Sequence, residues 1–356
     1  MLEFAKRPIP DRLVFFEEVA SRRGLRRLIV EKDFWVCFIL RLLFETPELS
    51  DKLVFKGGTS ISKIFNIIKR FSEDIDLSVS PSWLGFVGDK RPEAASSRTQ
   101  IDKRIKQLND VCIKTVEEKI QPILENMICG ILGSPDSGRS YLRFIIDHNT
   151  KSPVILFNYP TQELNVQGYI LPQVKLELGS LTDQEPTGTY AITSWVAEEF
   201  PKEFKEPKFN VISLEPERTF WEKATILHAE YHRSPDKPMR RNFSRDIYDI
   251  CQMASHEAGR RALADLDLLK RVVNYKKTCF YTKWANYDTA KPGTFCLTPP
   301  EHRLSELKTD YREMQEMFYE TYPNFDELLE QLKILEDKIN SSVIKFTREA
   351  IRQKNG

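Results

Sequence analysis

The stretch FKGGTSISKIFNIIKRFSEDIDLSV, residues 55–79, constrains the fold more than any other part of the chain. Leu53, Val54 and Phe55 read as the end of a buried strand. Gly57 and Gly58 break it. Thr59 or Ser60 is placed to cap a helix whose apolar residues, Ile61, Ile64, Phe65 and Ile68, recur at helical spacing. Asp74, Ile75, Asp76, Leu77 and Val79 then alternate as a half-buried strand does. A strand–turn–helix–strand unit is therefore expected.

Alternation sets the chemistry. It sends Asp74 and Asp76 to one face of the strand and Ile75, Leu77 and Val79 to the other. Two residues of strand rise about 6–7 Å, so both carboxylates reach one small region. Two like charges about 4 Å apart repel by roughly 1–4 kcal/mol between bulk water and an effective dielectric of 20. A divalent cation relieves that repulsion, and a few carboxylates completed by phosphate oxygens suit Mg²⁺. The Gly57-Gly58 turn ahead of a helix N-terminus offers backbone N–H groups to an anion. Phosphate along Gly57, Gly58, Thr59 and Ser60, with Mg²⁺ on the aspartates, points to phosphoryl-type chemistry on a nucleotide. The plainer alternative is the same unit with both acids facing water.

GGTS…RFSEDIDL resembles motif I of the DNA polymerase β-type nucleotidyltransferases. Within them it is most similar to the AbiEii/AbiGii-type abortive-infection toxins, the nucleotidyltransferase components of type IV toxin–antitoxin pairs. The likeness extends over residues 31–250, through VKLELGS (174–180), RTFWEKATIL (218–227) and RDIYDI (245–250). It implies an α+β chain: a polymerase β-like nucleotidyltransferase domain with a mixed sheet, followed by a mostly helical C-terminal domain. The expected divisions are 1–48, N-terminal helices on the core; 49–215, the nucleotidyltransferase domain; and 216–356, helical and completing the active site.

That family needs a third carboxylate from a neighbouring strand, as base or metal ligand. Glu177 is the candidate, because Val174, Leu176 and Leu178 face one way and Lys175 and Glu177 the other. The alternative is an exposed acid beside Lys175. By resemblance Lys223 neutralises phosphate charge, with Arg218 and Glu222 nearby on the same helix. The resemblance also puts an acid of RDIYDI in the site, Asp246 first and Asp249 second; otherwise Arg245 and Asp249, four apart, form a surface ion pair. Val30-Glu31-Lys32-Asp33-Phe34 resembles the segment that precedes motif I in these toxins, or is simply a charged first turn. Ser72 sits beside the acids and is a candidate for modification in this family class.

The rest of the chain sets bounds. At 356 residues it is long enough for two domains. Its net charge of +1 means that any nucleic-acid contact must come from a local patch. Six scattered cysteines contain no C-x-x-C, which suggests neither zinc nor a disulfide framework and fits a reducing cytosol. His228 and His232 lie four apart without the H-E-x-x-H pattern of a zinc enzyme. No signal peptide is apparent, and the most apolar run, 34–44, is too short to span a bilayer. Residues 270–287 interleave five cations with Tyr275, Phe280, Tyr281, Trp284 and Tyr287, either as core or as a surface for a single-stranded RNA end.

The expected activity is Mg²⁺-dependent transfer of a nucleoside monophosphate from a nucleoside triphosphate to RNA. The resemblance implies the tRNA 3′ end as acceptor, stalled translation as outcome, a cognate antitoxin as partner, and a cytoplasmic setting without membrane. The rivals are transfer to a protein or small molecule, a non-catalytic nucleotide- or RNA-binding module on the same fold, and a purely structural protein.

Overall fold

Seven short segments of alternating or continuous apolar character pair into one sheet: Leu53–Lys56 (β1), Ile75–Val79 (β2), Leu142–Ile146 (β3), Pro153–Phe157 (β4), Val174–Gly179 (β5), Thr187–Ile192 (β6) and Phe209–Leu214 (β7). The computed structural model describes residues 1–135, 140–162 and 171–354, with 342–354 as backbone. It divides into two units, Met1–Asn66 with Arg70–Leu214, and Ile67–Lys69 with Glu215–Gly356. The first holds the sheet and the second is helical, so the chain is α+β.

The strand order is β3-β4-β5-β2-β1-β7-β6. It is mixed: β2/β5 and β1/β7 run parallel, and the other neighbours antiparallel. β2 and β5 lie inside the sheet and follow the period of two. Ile75, Leu77 and Val79, and Val174, Leu176 and Leu178, are fully buried, while Asp76, Lys175 and Glu177 take the other face.

Four helices precede or interrupt the first strands: Leu2–Ala5 (α1), Ile9–Arg23 (α2), Arg27–Glu45 (α3) and Gly57–Lys63 (α4). α2 stops at Gly24, whose φ of 64° suits a glycine C-cap. α3 is buried from Leu28 through Phe44 and packs on β5 and β7. Phe34, Trp35 and Phe38 interlock there with Phe4, Phe16, Phe157 and Tyr159. Burial of each such side chain contributes about 1.5–3 kcal/mol, which makes α3 the hub of this core.

The structure corrects four expectations. First, α4 begins at Gly57 with Lys56 as N-cap, so neither Thr59 nor Ser60 caps it. It also ends at Lys63, short of Phe65 and Ile68. Asn66 takes a φ of 51°, and Ile68 and Lys69 are held in the second unit: Ile68 O accepts from Tyr319 Oη (3.1 Å), and the Lys69 amide donates to Tyr248 Oη (3.3 Å). Second, residues 99–128, where Ile101, Ile105, Leu108, Val111 and Cys112 recur near helical spacing as in one helix, consist of Arg98–Thr115 (α5), a π-helical turn Val116–Ile120 and Gln121–Leu132 (α6). Pro122, which has no N–H for a helical bond, accounts for the widened turn. Third, residues 169–178 read as one strand in the sequence, but the strand starts at Val174; residues 169–170 lie outside the described residues. Fourth, the stretch 181–208, polar and Pro-bearing and so reading as irregular in the sequence, contains the edge strand β6 and the helix Trp195–Glu199 (α7). β6 is polar on its outer side, which is why its alternation is faint in the sequence.

The second unit comprises Pro216–Tyr231 (α8), Ser244–Ser255 (α9), Glu257–Ala264 (α10), Leu266–Cys279 (α11), Leu304–Glu313 (α12) and Phe325–Lys354 (α13), joined by short 3₁₀ turns. Trp221, Phe220, Tyr248, Phe295, Leu328 and Leu332 form its interior. Among the described residues no helix is long and apolar enough to cross a membrane.

Candidate active site

Register brings the first group of acids together. Asp76 on β2 is the direct partner of Glu177 on parallel β5 and of Lys56 on antiparallel β1. Facing residues on neighbouring strands stand about 4.8 Å apart, so the two carboxylates share one face with a lysine on their flank. Asp74 precedes β2 by one residue and shares the face of Asp76. Lys175 ion-pairs Glu177. That pair is the plainer expectation for Glu177, and it coexists with the alignment beside Asp76.

The electrostatics of Asp74 report crowded negative charge. Its pKa is pushed up to about 7, first by burial, then by Glu73 and Asp76, with Glu177 adding and Lys175 opposing. Three carboxylates on one face of neighbouring strands, whose charge adds to burial in raising the pKa of Asp74, fit a hard divalent cation.

Gly57 is fixed by this arrangement for two reasons. Its φ is 80°, and a Cβ there would lie 2.1 Å from Asp76 Oδ2. Only a residue without a side chain lets the carboxylate pack against the start of α4. The hydroxyls of the next residues turn inward. Thr59 and Ser60 are buried; Thr59 Oγ1 donates to Asp74 O and accepts from Ser72 Oγ (2.8 Å), and Ser60 Oγ donates to Gly57 O (2.9 Å). Any anion along 57–60 would therefore meet backbone N–H groups. Ser72 is tied to Thr59 by the same bond.

A second layer, visible in the sequence only as a family-like segment, anchors this one. Glu31, Lys32 and Asp33 are all buried on α3, so they are not a solvated first turn. Lys32 Nζ donates to Glu73 and to Leu171 O (2.9 Å), gripping the residue next to Asp74. Asp33 accepts from Lys63 Nζ (2.6 Å) and from the Trp195 amide (2.8 Å), gripping α4 and α7. Burial opposes the charge on Lys63, but Asp33 outweighs it and holds the ammonium pKa above its ordinary value. The pattern that could have found this layer is a charged triplet at the head of an otherwise apolar helix: such charges are buried only when paired.

The second unit gathers the other expected residues. Lys223 on α8 reaches α9, with Nζ 2.7 Å from Asp246 Oδ1 and 2.9 Å from Asp249 Oδ2. Arg240 Nη1 lies 3.5 Å from Asp246 Oδ2. Burial opposes ionisation of Asp246, but Lys223 and Arg240 prevail and its pKa falls below the ordinary value. Asp249 is fully buried, so it is not half of a surface ion pair. Both acids of RDIYDI thus hold the same lysine. Arg218 is almost fully buried and donates to Glu222 Oε1 at 3.0 Å, a bond within α8.

His228, His232 and Cys296 come close enough to suggest a metal, with ligand atoms within 4.8 Å of one another. His228 is already committed. Its Nδ1 accepts from the Cys296 amide (3.1 Å), which makes Nε2 the N–H that donates to Asn286 O (3.2 Å). Burial pushes its pKa down to about 4, as for a neutral core histidine. Two remaining ligands do not make a structural zinc site.

Of the basic cluster at 22–27, Arg22 pairs with Glu18, and Arg23 with Glu198 and Glu199. In the 270–287 stretch, Val272 and Val273 enter the core whereas Phe280, Tyr281 and Trp284 are exposed.

Residues 41–331 match the family model described as nucleotidyl transferase AbiEii toxin, type IV TA system. Among solved structures the chain is similar to MenT4, a nucleotidyltransferase toxin from Mycobacterium tuberculosis. The two share 15% identity over 91% of this chain and 97% of that one, with a TM-score of 0.43. No curated protein matches.

Proposed function

The chain belongs to the AbiEii nucleotidyltransferase toxins of type IV toxin–antitoxin systems, and from that premise we propose that it transfers a nucleoside monophosphate from a nucleoside triphosphate to an RNA acceptor, the tRNA 3′ end. The observation that carries this reading is the alignment of Asp76 with Glu177, beside an Asp74 whose pKa stands near 7.

Asp74, Asp76 and Glu177 would hold a divalent cation, Mg²⁺ by the hardness of the donors. When bound, such an ion neutralises and orients the triphosphate. The protein's own groups do the rest. Backbone N–H groups from Gly57 to Ser60 face the phosphates. An acceptor hydroxyl attacks the α-phosphorus in line; the new O–P bond forms as the bond to the β-phosphate oxygen breaks, and pyrophosphate leaves. Glu177 is the group assigned to take the hydroxyl proton. On the strength of the family we assign Lys223 the role of offsetting phosphate charge; within the second unit Asp246 and Asp249 fix its position. We assign the cognate antitoxin as partner and the cytoplasm as setting on the strength of the family.

The test is to incubate the protein with each of the four labelled triphosphates and total tRNA or lysate, with and without Mg²⁺. Label entering RNA only when Mg²⁺ is present, and absent with Asp76→Ala, is the expected result. Label on protein or on a small molecule replaces the acceptor. Growth inhibition undiminished by Asp76→Ala removes catalysis from the account.

A further inference from the structure

α11 buries Leu268, Leu269, Val272 and Val273, and at Cys279 the chain leaves the helix. Beyond Cys279 the pattern reverses. Phe280 is 40% exposed, Tyr281 55% and Trp284 41%, while Ala285 and Ala290 are buried. The exposed apolar side chains of this turn are thus all aromatic, and its aliphatic ones point inward. Isolated exposed aromatics are ordinary; three within five residues are not.

Cations lie over these rings. Lys276 Nζ sits 4.7 Å from the Phe280 centroid, and Arg233 Cζ sits 5.2 Å from that of Trp284. Lys283 is exposed between Tyr281 and Trp284. The local acids are Asp288, which pairs with Lys277, and Glu230, which pairs with Arg233 at 3.2 Å. Lys276, Lys277, Lys283 and Arg233 against those two acids leave the patch positive, on a chain whose net charge is only +1. Protein interfaces also favour Trp, Tyr and Arg, but they are depleted in lysine, of which this patch carries three. Aromatic faces rimmed by lysine and arginine suit unpaired bases and their phosphates.

We propose that Phe280, Tyr281 and Trp284, with Lys276, Lys283 and Arg233, form a stacking platform for two or three unpaired nucleotides of the acceptor. This rests on the acceptor being RNA, and it adds where and how the single strand is held. Arg233 lies two residues past the last residue of α8, Tyr231, which stands eight residues beyond Lys223, about 12 Å along the helix axis.

The experiment uses the full chain carrying Asp76→Ala, so that RNA is bound but not modified. A labelled single-stranded oligoribonucleotide and the duplex of the same sequence are titrated separately. Trp284→Ala should weaken the single-strand Kd about tenfold and Tyr281→Ala/Trp284→Ala about a hundredfold, while Trp284→Phe retains most of the affinity. The duplex should bind more weakly and change little. Unaltered melting temperatures of these surface variants exclude misfolding. Single-strand affinity unchanged in the double variant overturns the platform, as does a parent chain that binds no single-stranded RNA, or a double variant that loses a protein partner while keeping RNA. The acceptor assignment is judged separately, by which molecule the wild-type protein labels. Labelled RNA with an unaffected double variant sinks the platform alone.

Discussion

Asp74 and Asp246 are both carboxylates whose charge burial opposes, and their charged neighbours push them in opposite directions. Around Asp74, burial, Glu73 and Asp76 outweigh Lys175, and the pKa rises to about 7. Around Asp246, Lys223 and Arg240 outweigh burial, and the pKa falls. Both groups of acids carry family motifs, yet among the neighbouring charges like charge prevails only in the first. The first is suited to receive a cation from outside. The second has its cation built in, and serves to hold it.

The contrast breaks most sharply at Asp76. Asp76→Ala should lower nucleotide incorporation by at least about a thousandfold, since several kcal/mol of charge stabilisation disappear, while the thermal midpoint without metal stays or rises. Mg²⁺ should raise the midpoint of the wild type and leave that of the variant unmoved. A large drop in metal-free stability would mean that the first acids are as internally balanced as the second.

Lys223→Met tests the other side. It removes the cation that Asp246 and Asp249 share in the interior, so chemical denaturation should show a loss of about 3–5 kcal/mol. A near-neutral result would show that the lysine is held loosely, and its role would then be read from activity alone.

Gly57→Ala sharpens the geometry. The added Cβ meets the Asp76 carboxylate and takes an unfavourable φ, for a cost of about 1–3 kcal/mol. Activity should fall further than that loss explains, because Asp76 is the group displaced. Equal activity in a folded Gly57→Ala protein would show that Asp76 can move without consequence.

The smallest effect is one of pH. A carboxyl whose folded pKa is raised contributes stability that is full below its unfolded value, near 3.8, and lost as pH rises towards 7. Without metal, Asp74→Asn should therefore gain on the wild type between about pH 4 and 7, with a constant gap above. Paired denaturation curves across that range would show it, and a gap that does not vary with pH would remove the case for repulsion at Asp74.

Much of this was legible in the chain. Helical spacing pointed to α4, and the period of two to β2 and β5, because each pattern follows from burying one face of a regular backbone. The same alternation put Asp76 and Glu177 on the outer faces of their strands. It did not reveal that those strands are neighbours in register, nor that Lys56 flanks them, since pairing between segments distant in sequence leaves no local trace.

What the sequence by itself determined was the set of elements and the side each acid faces, both properties of a few consecutive residues. What only the tertiary structure decided was partnership. It cut α4 short at Lys63, because Ile68 and Lys69 gain their hydrogen bonds from Tyr319 and Tyr248. It turned the hydroxyls of Thr59 and Ser60 inward, buried Lys32 and Asp33 beneath the acids, and closed both carboxylates of RDIYDI on one lysine. A charge inside a protein is tolerable only with its counter-charge in reach, and which counter-charge that is depends on how distant segments pack.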